Sequence, residues 1–488
     1  MLRRSRFVLG ACLTAAVAAQ APPAPKTEEE LDKQVIQTLV GFARSAENWK
    51  TPSRARAVYE QILAHYDLDN ASARAGLGWK KVKDEWQVAT PSDRLPKDTA
   101  TPAQQEQVAN AWRQASKRVA KLHKDFGLAL DGEGHRARAV HHFERALAFD
   151  EDDVDCHRAL GHEEFDGFFG SPEQITFVKR LREILGKARE IAAREIEVAP
   201  VAIDQMPVEL QRTGFPFVGA RSRFTTYWVH GSAEEAAQCA IWNERAVLLL
   251  QYLFGDDPER NRYLVPSRVR WIGVLRSAAE RARLLEVSPE ARANETLERA
   301  QLFASSVFTS HSGKAEWTWH NEHDDDHVVG QATQRGTPWF NPGLSEGLVH
   351  TMTWLLCGTL YSSYMMLPTT QATSTERPRK PSEWLRALRA EIDRGDDHPL
   401  VQVPREQLAN FRDAVRFKSW SFVTWLLARH PDRWVELMVE LGHEKRLPEE
   451  VAEIFKRVLG RDVGDVEAEW RDWARAGSRI GKASGLPQ

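Results

Sequence analysis

Cysteine is scarce in this chain: four in 488 residues, at positions 12, 156, 239 and 357. That spacing excludes a disulfide framework and any short-spaced cysteine zinc site, and leaves at most one bridge among Cys156, Cys239 and Cys357. Basic blocks are missing too. The 66 Lys and Arg are spread among 69 Asp and Glu, and a net charge of −3 argues against a nucleic-acid partner. Beyond the first residues no apolar run is long enough to span a bilayer, so the mature chain is expected to have no transmembrane segment. The length exceeds what one hydrophobic core serves, and two or three domains are expected.

What is present begins with Arg3, Arg4 and Arg6, then an apolar run from Phe7 to Ala19 with small residues at Ala16-Val17-Ala18. Residues 1–18 read as a signal peptide, which implies a secreted or periplasmic protein. Cys12 after Leu9-Gly10-Ala11 supplies the alternative, a lipoprotein signal anchored at that cysteine. Residues 19–30, with Pro22, Pro23, Pro25 and Glu28-Glu29-Glu30, read as a disordered leader.

Helical periodicity follows over residues 31–170. Ala55 to Leu63, Asp67-Leu68-Asp69-Asn70-Ala71 and Ala75 to Trp79 recur about 83 residues later as Arg138 to Leu147, Asp150 to Asp153 and Arg158 to His162. Each copy ends in an aromatic tail, Val82 to Trp86 and Phe165 to Phe169. The segments resemble tetratricopeptide helix pairs, with structural support or contact with a protein partner as their expected role. Residues 171–215 read as a long charged helix (Gln174 to Glu197) and linker. Beyond them, Arg223 to His230, Arg268 to Leu275 and Lys314 to His320 read as strands. Helices are expected at Ala233 to Phe254 and Ala278 to Leu285, so the domain at 216–476 is expected to be α+β, a small sheet beside helices. Residues 477–488 are a tail.

The chemistry concentrates at His323-Asp324-Asp325-Asp326-His327, eighteen further residues, then Glu346. Two histidines four apart share one helix face, so both imidazoles can reach one ion. A carboxylate from a second helix completes three protein ligands and leaves a tetrahedral zinc one position for water. Asn341-Pro342 starts that second helix as N-cap and first residue. Three consecutive aspartates also suit the positive end of a helix dipole without any metal. The pattern resembles the gluzincin metallopeptidases, with Asp324 where their motif His-Glu-x-x-His carries the catalytic glutamate. The resemblance continues through Trp339-Phe340, Phe417 to Leu427, His430 to Trp434 and Leu459 to Trp470, and covers roughly residues 218–476.

The resemblance implies Zn2+ bound by His323, His327 and Glu346, Asp324 as the general base, and a peptide or protein substrate. Three positions depart from it. Asp324 shortens the base by one methylene, roughly 1.5 Å, and misplacement by about 1 Å can cost on the order of a hundredfold. His350 stands four residues after Glu346, where relatives have an acid that orients a zinc histidine. Arg416 stands where a tyrosine is common, as an oxyanion stabiliser or as a surface residue. Two readings stand at this point: an active zinc peptidase, and a catalytically inactive metallopeptidase-like scaffold that uses its helical repeats for partner contact.

Overall fold

The structure, a computed structural model, describes residues 25–91, 94–264, 271–275, 277–288, 308–311, 315–319, 325–360, 380–406, 412–442, 446–475 and 478–486. The architecture is helix-rich α+β, and the chain divides into two compact units between Ser171 and Pro172.

The first unit is one motif used twice. Helices α1 (Glu28–Asn48) and α2 (Pro52–His65) form a tight helical hairpin, followed by a six-residue helix α3 (Ala71–Gly76) and the strands β1 (Trp79–Val82) and β2 (Glu85–Val88). The second copy runs α4 (Pro102–Gly132), α5 (Arg136–Phe149), α6 (Val154–Ala159), β3 (Glu163–Phe165) and β4 (Phe168–Gly170). Thr27 caps α1 by accepting from the Glu30 amide, and Glu28 to Glu30 sit in its first turn. The glutamates expected in the leader therefore begin a helix. Leu31, Val35, Leu39, Phe42 and Ala46 form its buried stripe.

Equivalent residues do equivalent work in the two copies. Asn70 and Asp153 cap the short helices by accepting from the amides of Ala73 and Cys156. Gly78 and Gly161 end them with φ of 82° and 73°. This left-handed stop explains why no long second helix follows, as a tetratricopeptide pair would have; the aromatic tails pair as antiparallel hairpins instead. Both hairpins turn on two residues of positive φ: Lys83 and Asp84 at 48° and 69°, Asp166 and Gly167 at 51° and 77°. That is the turn whose twist matches paired strands. Arg74 lies 5.3 Å from the Trp79 ring and 5.4 Å from that of Trp86. The matching His157 stacks on Phe169 at 5.4 Å.

The second unit is built on a six-stranded sheet in the order β5 (Ala199–Val201), β6 (Val218–Arg221), β7 (Thr226–Val229), β8 (Trp271–Leu275), β10 (Ala315–Trp319), β9 (Phe308–His311). Strands β7, β8 and β10 run parallel, and the other pairings are antiparallel. β7 is buried along its whole length because both faces of the sheet are covered. On one face Tyr227, Val229, Ile272 and Val274 meet Ala236, Cys239 and Ala240 of α9 (Ala233–Phe254). On the other, Phe217, Trp228 and Leu275 meet Leu210 of α8 (Val208–Gln211) and Leu284 of α11 (Ala278–Val287). The short α10 (Pro258–Asn261) follows α9 in the chain. α9 has the bounds read from the sequence, set by a Ser232/Glu235 capping box and by Gly255 at φ 69°.

α7 (Pro172–Ala193), expected as part of a linker, carries a buried stripe of Ile175, Val178, Leu181, Ile184 and Ile191 and packs within the second unit. Cys156 and Cys357 are free thiols. Among the described residues no helix is long and apolar enough to cross a membrane.

The first hairpin asks Lys83 and Asp84 to hold a backbone conformation that costs side-chain-bearing residues roughly 1–2 kcal/mol each, whereas its twin uses Asp-Gly. The double substitution Lys83→Asn, Asp84→Gly should stabilise β1–β2 by about 1 kcal/mol, read as slower amide exchange of Lys80 and Gln87, a hydrogen-bonded pair of the ladder. Unchanged exchange would count against the turn assignment.

Candidate metal centre

The two helices that the motif spans are α12 (Asp325–Gly336) and α13 (Pro342–Cys357), which pack on each other. His323 and Asp324, together with the neighbouring His320, lie outside the described residues. Of the expected ligand set the structure therefore describes His327 and Glu346. Both are buried, at 2% and 1% exposure. A buried imidazole and a buried carboxylate are two of the donor types that zinc takes, so their chemistry fits that ion. Among the described residues no group of three or more His, Cys, Asp and Glu is placed to hold a metal.

α12 is clamped at both ends. In its first turn the Asp326 carboxylate accepts from the Thr359 hydroxyl at 2.7 Å, and Asp325 accepts from Gln238 of α9 at 3.4 Å. In its last turn Arg335 donates to the Asn243 carbonyl at 2.8 Å and to the Tyr227 hydroxyl at 3.2 Å. Asn243 and Tyr227 are themselves buried and bonded to each other at 3.2 Å. A carboxylate at the helix start and a guanidinium at its end both follow the helix dipole.

α13 starts as its sequence indicates. The Asn341 carbonyl oxygen accepts from the Leu344 amide at 3.2 Å, and Pro342 is the first helical residue. Asn341 is fully buried, and its amide donates to the carbonyls of Pro404 at 2.9 Å and Leu441 at 3.1 Å. One side chain thus fixes the helix start against two distant segments. Glu346 follows one turn later. The Thr359 bond sets the first turn of α12 beside the far end of α13, whereas Glu346 lies about 16 Å up the axis from Cys357 at 1.5 Å per residue. His327 and Glu346 must bridge that offset, by helix crossing and side-chain reach, to share an ion.

His350, expected to orient a zinc histidine, is fully buried with Nε2 3.5 Å from Glu346 Oε1. Its ring meets Trp384 edge-on at 4.7 Å, a residue of α14 (Pro381–Arg394). The structure thus sets His350 against the carboxylate of the ligand set. Arg416 lies on α15 (Asp413–Arg429), is 1% exposed, and has Nη1 3.3 Å from Asp413. It is a buried cation, and the surface reading of this position is corrected. Burial pushes the Cys357 thiol far above its ordinary range, Asp326 and Asp325 add to the effect, and Arg245 opposes it. At neutral pH Cys357 is a thiol, not a thiolate ligand.

α13 and α15 approach as closely as backbones allow. A Cβ on Gly347 would overlap the Ser419 carbonyl oxygen, and one on Gly343 would stand 2.5 Å from the Val403 carbonyl oxygen. The Ser419 hydroxyl donates to the Gly343 carbonyl at 2.6 Å, and the Thr351 and Thr424 hydroxyls are 3.0 Å apart. The sequence signal for this contact was Gly347 itself.

Sequence reading missed the ion cluster that anchors the other side of α15. Lys418 is fully buried, with Nζ 2.7 Å from Asp397 and a further contact to Glu467. Arg471 of α16 (Val463–Ala474) reaches the same Asp397 at 3.1 Å, and Lys418 stands 4.5 Å from the Trp470 ring. Burial works to raise the Asp397 pKa, but Lys418 and Arg471 overcome it and hold the carboxyl below its usual value. The partners stand 21 and 49 residues from Lys418, so no local spacing announces them.

No protein-family model, no curated protein and no solved structure matches the chain.

Gly347→Ala should destabilise the second unit by roughly 1–3 kcal/mol, because the new methyl must displace backbone. Gly186→Ala in α7, where an added Cβ meets nothing within 4 Å, should instead stabilise it by about 0.5–1 kcal/mol. Urea melts of both variants check the pair; the same sign for both would contradict the close approach.

Proposed function

We propose that the second unit is a secreted, zinc-dependent hydrolase of peptide bonds, of the gluzincin type that its motif resembles. His323, His327 and Glu346 hold the ion. The observation that carries the reading is Glu346: a carboxylate with 1% exposure, one turn into a capped helix that is packed on the helix bearing His327. A buried carboxylate and a buried imidazole on the neighbouring helix are an oxygen donor and a nitrogen donor of the kinds zinc takes.

Bound zinc supplies a polarised water. The chain's own groups do the rest. Asp324 is the residue that would serve as the proton acceptor and donor for hydrolysis, with a reach about one methylene short. Arg416 is the group for charge stabilisation of an oxyanion. His350 holds the Glu346 carboxylate from the same helix, one turn on. The first unit presents its repeated hairpins to a protein substrate or partner. Residues 1–18 direct export and are removed, with anchoring at Cys12 as the alternative.

The axial offset between His327 and Glu346 favours a second reading, a metallopeptidase-like scaffold without catalysis. Metal analysis and peptide hydrolysis separate the two. The first reading expects one zinc per chain, lost in His327→Ala, and hydrolysis that falls at least a hundredfold in Asp324→Asn. Asp324→Glu should retain or raise activity. Full zinc with no hydrolysis in either the wild type or Asp324→Glu establishes the scaffold, and absence of zinc removes the site.

A further inference from the structure

The helical unit contains a chain of polar side chains, running through two buried histidines, that hydrolysis does not use. Arg145 Nη2 donates to the Tyr66 hydroxyl at 2.8 Å, and that hydroxyl lies 3.0 Å from His123 Nε2. His123 Nδ1 is 3.2 Å from His142 Nδ1, and His142 Nε2 is 3.7 Å from the Glu28 carboxylate. Glu28 also accepts from Arg138 Nη2 at 2.8 Å. His123 and His142 are 2% and 5% exposed. His142 and Phe149 stack on His123 at 5.5 and 6.4 Å, and Phe126 meets His142 edge-on at 4.8 Å.

The proton positions follow from one fixed end. A carboxylate only accepts, so Glu28 favours the His142 tautomer with its proton on Nε2; His142 Nδ1 then accepts from His123, and His123 Nε2 accepts from the Tyr66 hydroxyl, whose oxygen also accepts from Arg145. His123 then carries its proton on Nδ1 and donates it to His142 Nδ1. His142 in turn carries its proton on Nε2, toward Glu28. Every bond points one way, and both rings are neutral. A further proton on His142 would set two N–H groups against each other at 3.2 Å, and one on His123 would turn N–H against the Tyr66 proton.

The charges around the pair come from four helices. Glu28 and Asp32 face it from α1, His65 and Tyr66 from α2, His123 lies on α4, and Arg138, His141, His142 and Arg145 lie on α5. Glu28 is already bound by Arg138, and Arg145 and His141 add positive charge.

We propose that the His123–His142 pair is an acid-sensitive latch. Neutral, it closes α4 and α5 onto α1 and α2; in mild acid it releases them and loosens the helical unit.

The sign follows from linkage. Burial, with His142, Arg145 and His141 adding to it, pushes His123 down to about 3. The unfolded chain titrates near 6.5, so it binds more protons than the folded chain between those values. The stability is fully present above about pH 6.5 and is lost as pH falls toward 3. Burial lowers His142 and His65 in the same direction. Asp32, raised by burial, acts in the opposite sense in the carboxylate range.

Amide hydrogen exchange of the full chain at pH 7 and pH 5, corrected for intrinsic rates, tests the latch. Protection of α4 and α5 should fall by about 25-fold from His123 alone. The double variant His123→Phe, His142→Phe should show no such loss. If it does not fold, His123→Gln keeps a hydrogen-bonding group without the titrating one and should reduce the loss. Equal protection of the wild type at both pH values overturns the proposal, as does an equal loss in wild type and variant.

Discussion

The contact between α13 and α15 at Gly343, Gly347 and Thr351 governs the second unit. At Gly347 backbone meets backbone, and the Ser419 and Thr351 hydroxyls satisfy groups that such close packing removes from water. The approach buries Glu346 and His350 on one helix and Arg416 and Lys418 on the other. Ionisable groups so deep are retained only where they are paired or hold an ion. Lys418 is paired, by Asp397 and Glu467. Glu346 has His350 beside it, with Nε2 3.5 Å from the carboxylate.

The first unit solves a different problem. Its helical hairpins bury an aromatic and aliphatic core, and each copy closes with a β-hairpin whose turn needs positive φ at two residues. The two copies fill matching positions with different chemistry: Arg74 over tryptophans in one, His157 on Phe169 in the other. Within the same core, the His123–His142 pair replaces apolar contact with a directional chain of hydrogen bonds, which ties the packing to proton concentration.

Elements with both ends marked were legible in the sequence. α9 was bounded by Ser232 and Gly255, and the start of α13 by Asn341-Pro342. The repeat was legible as a repeat, but its ending was not: Gly78 and Gly161 stop the short helices, and pairing of the aromatic tails is a long-range choice that periodicity does not encode. The strands β5, β6 and β9 went unseen because three or four residues carry too little alternation to stand out. At the site, spacing singled out His327 and Glu346, and the structure buries both. Spacing did not reveal that His350 faces Glu346, that Arg416 is buried, or that the Thr359 bond offsets α12 along α13.

Zinc K-edge X-ray absorption on the purified full chain tests the central claim most directly. The account predicts nitrogen and oxygen donors at about 2.0–2.1 Å, with the multiple scattering of two imidazoles and no sulfur. A sulfur shell near 2.3 Å, or a purely oxygen shell of loosely held metal, would contradict it.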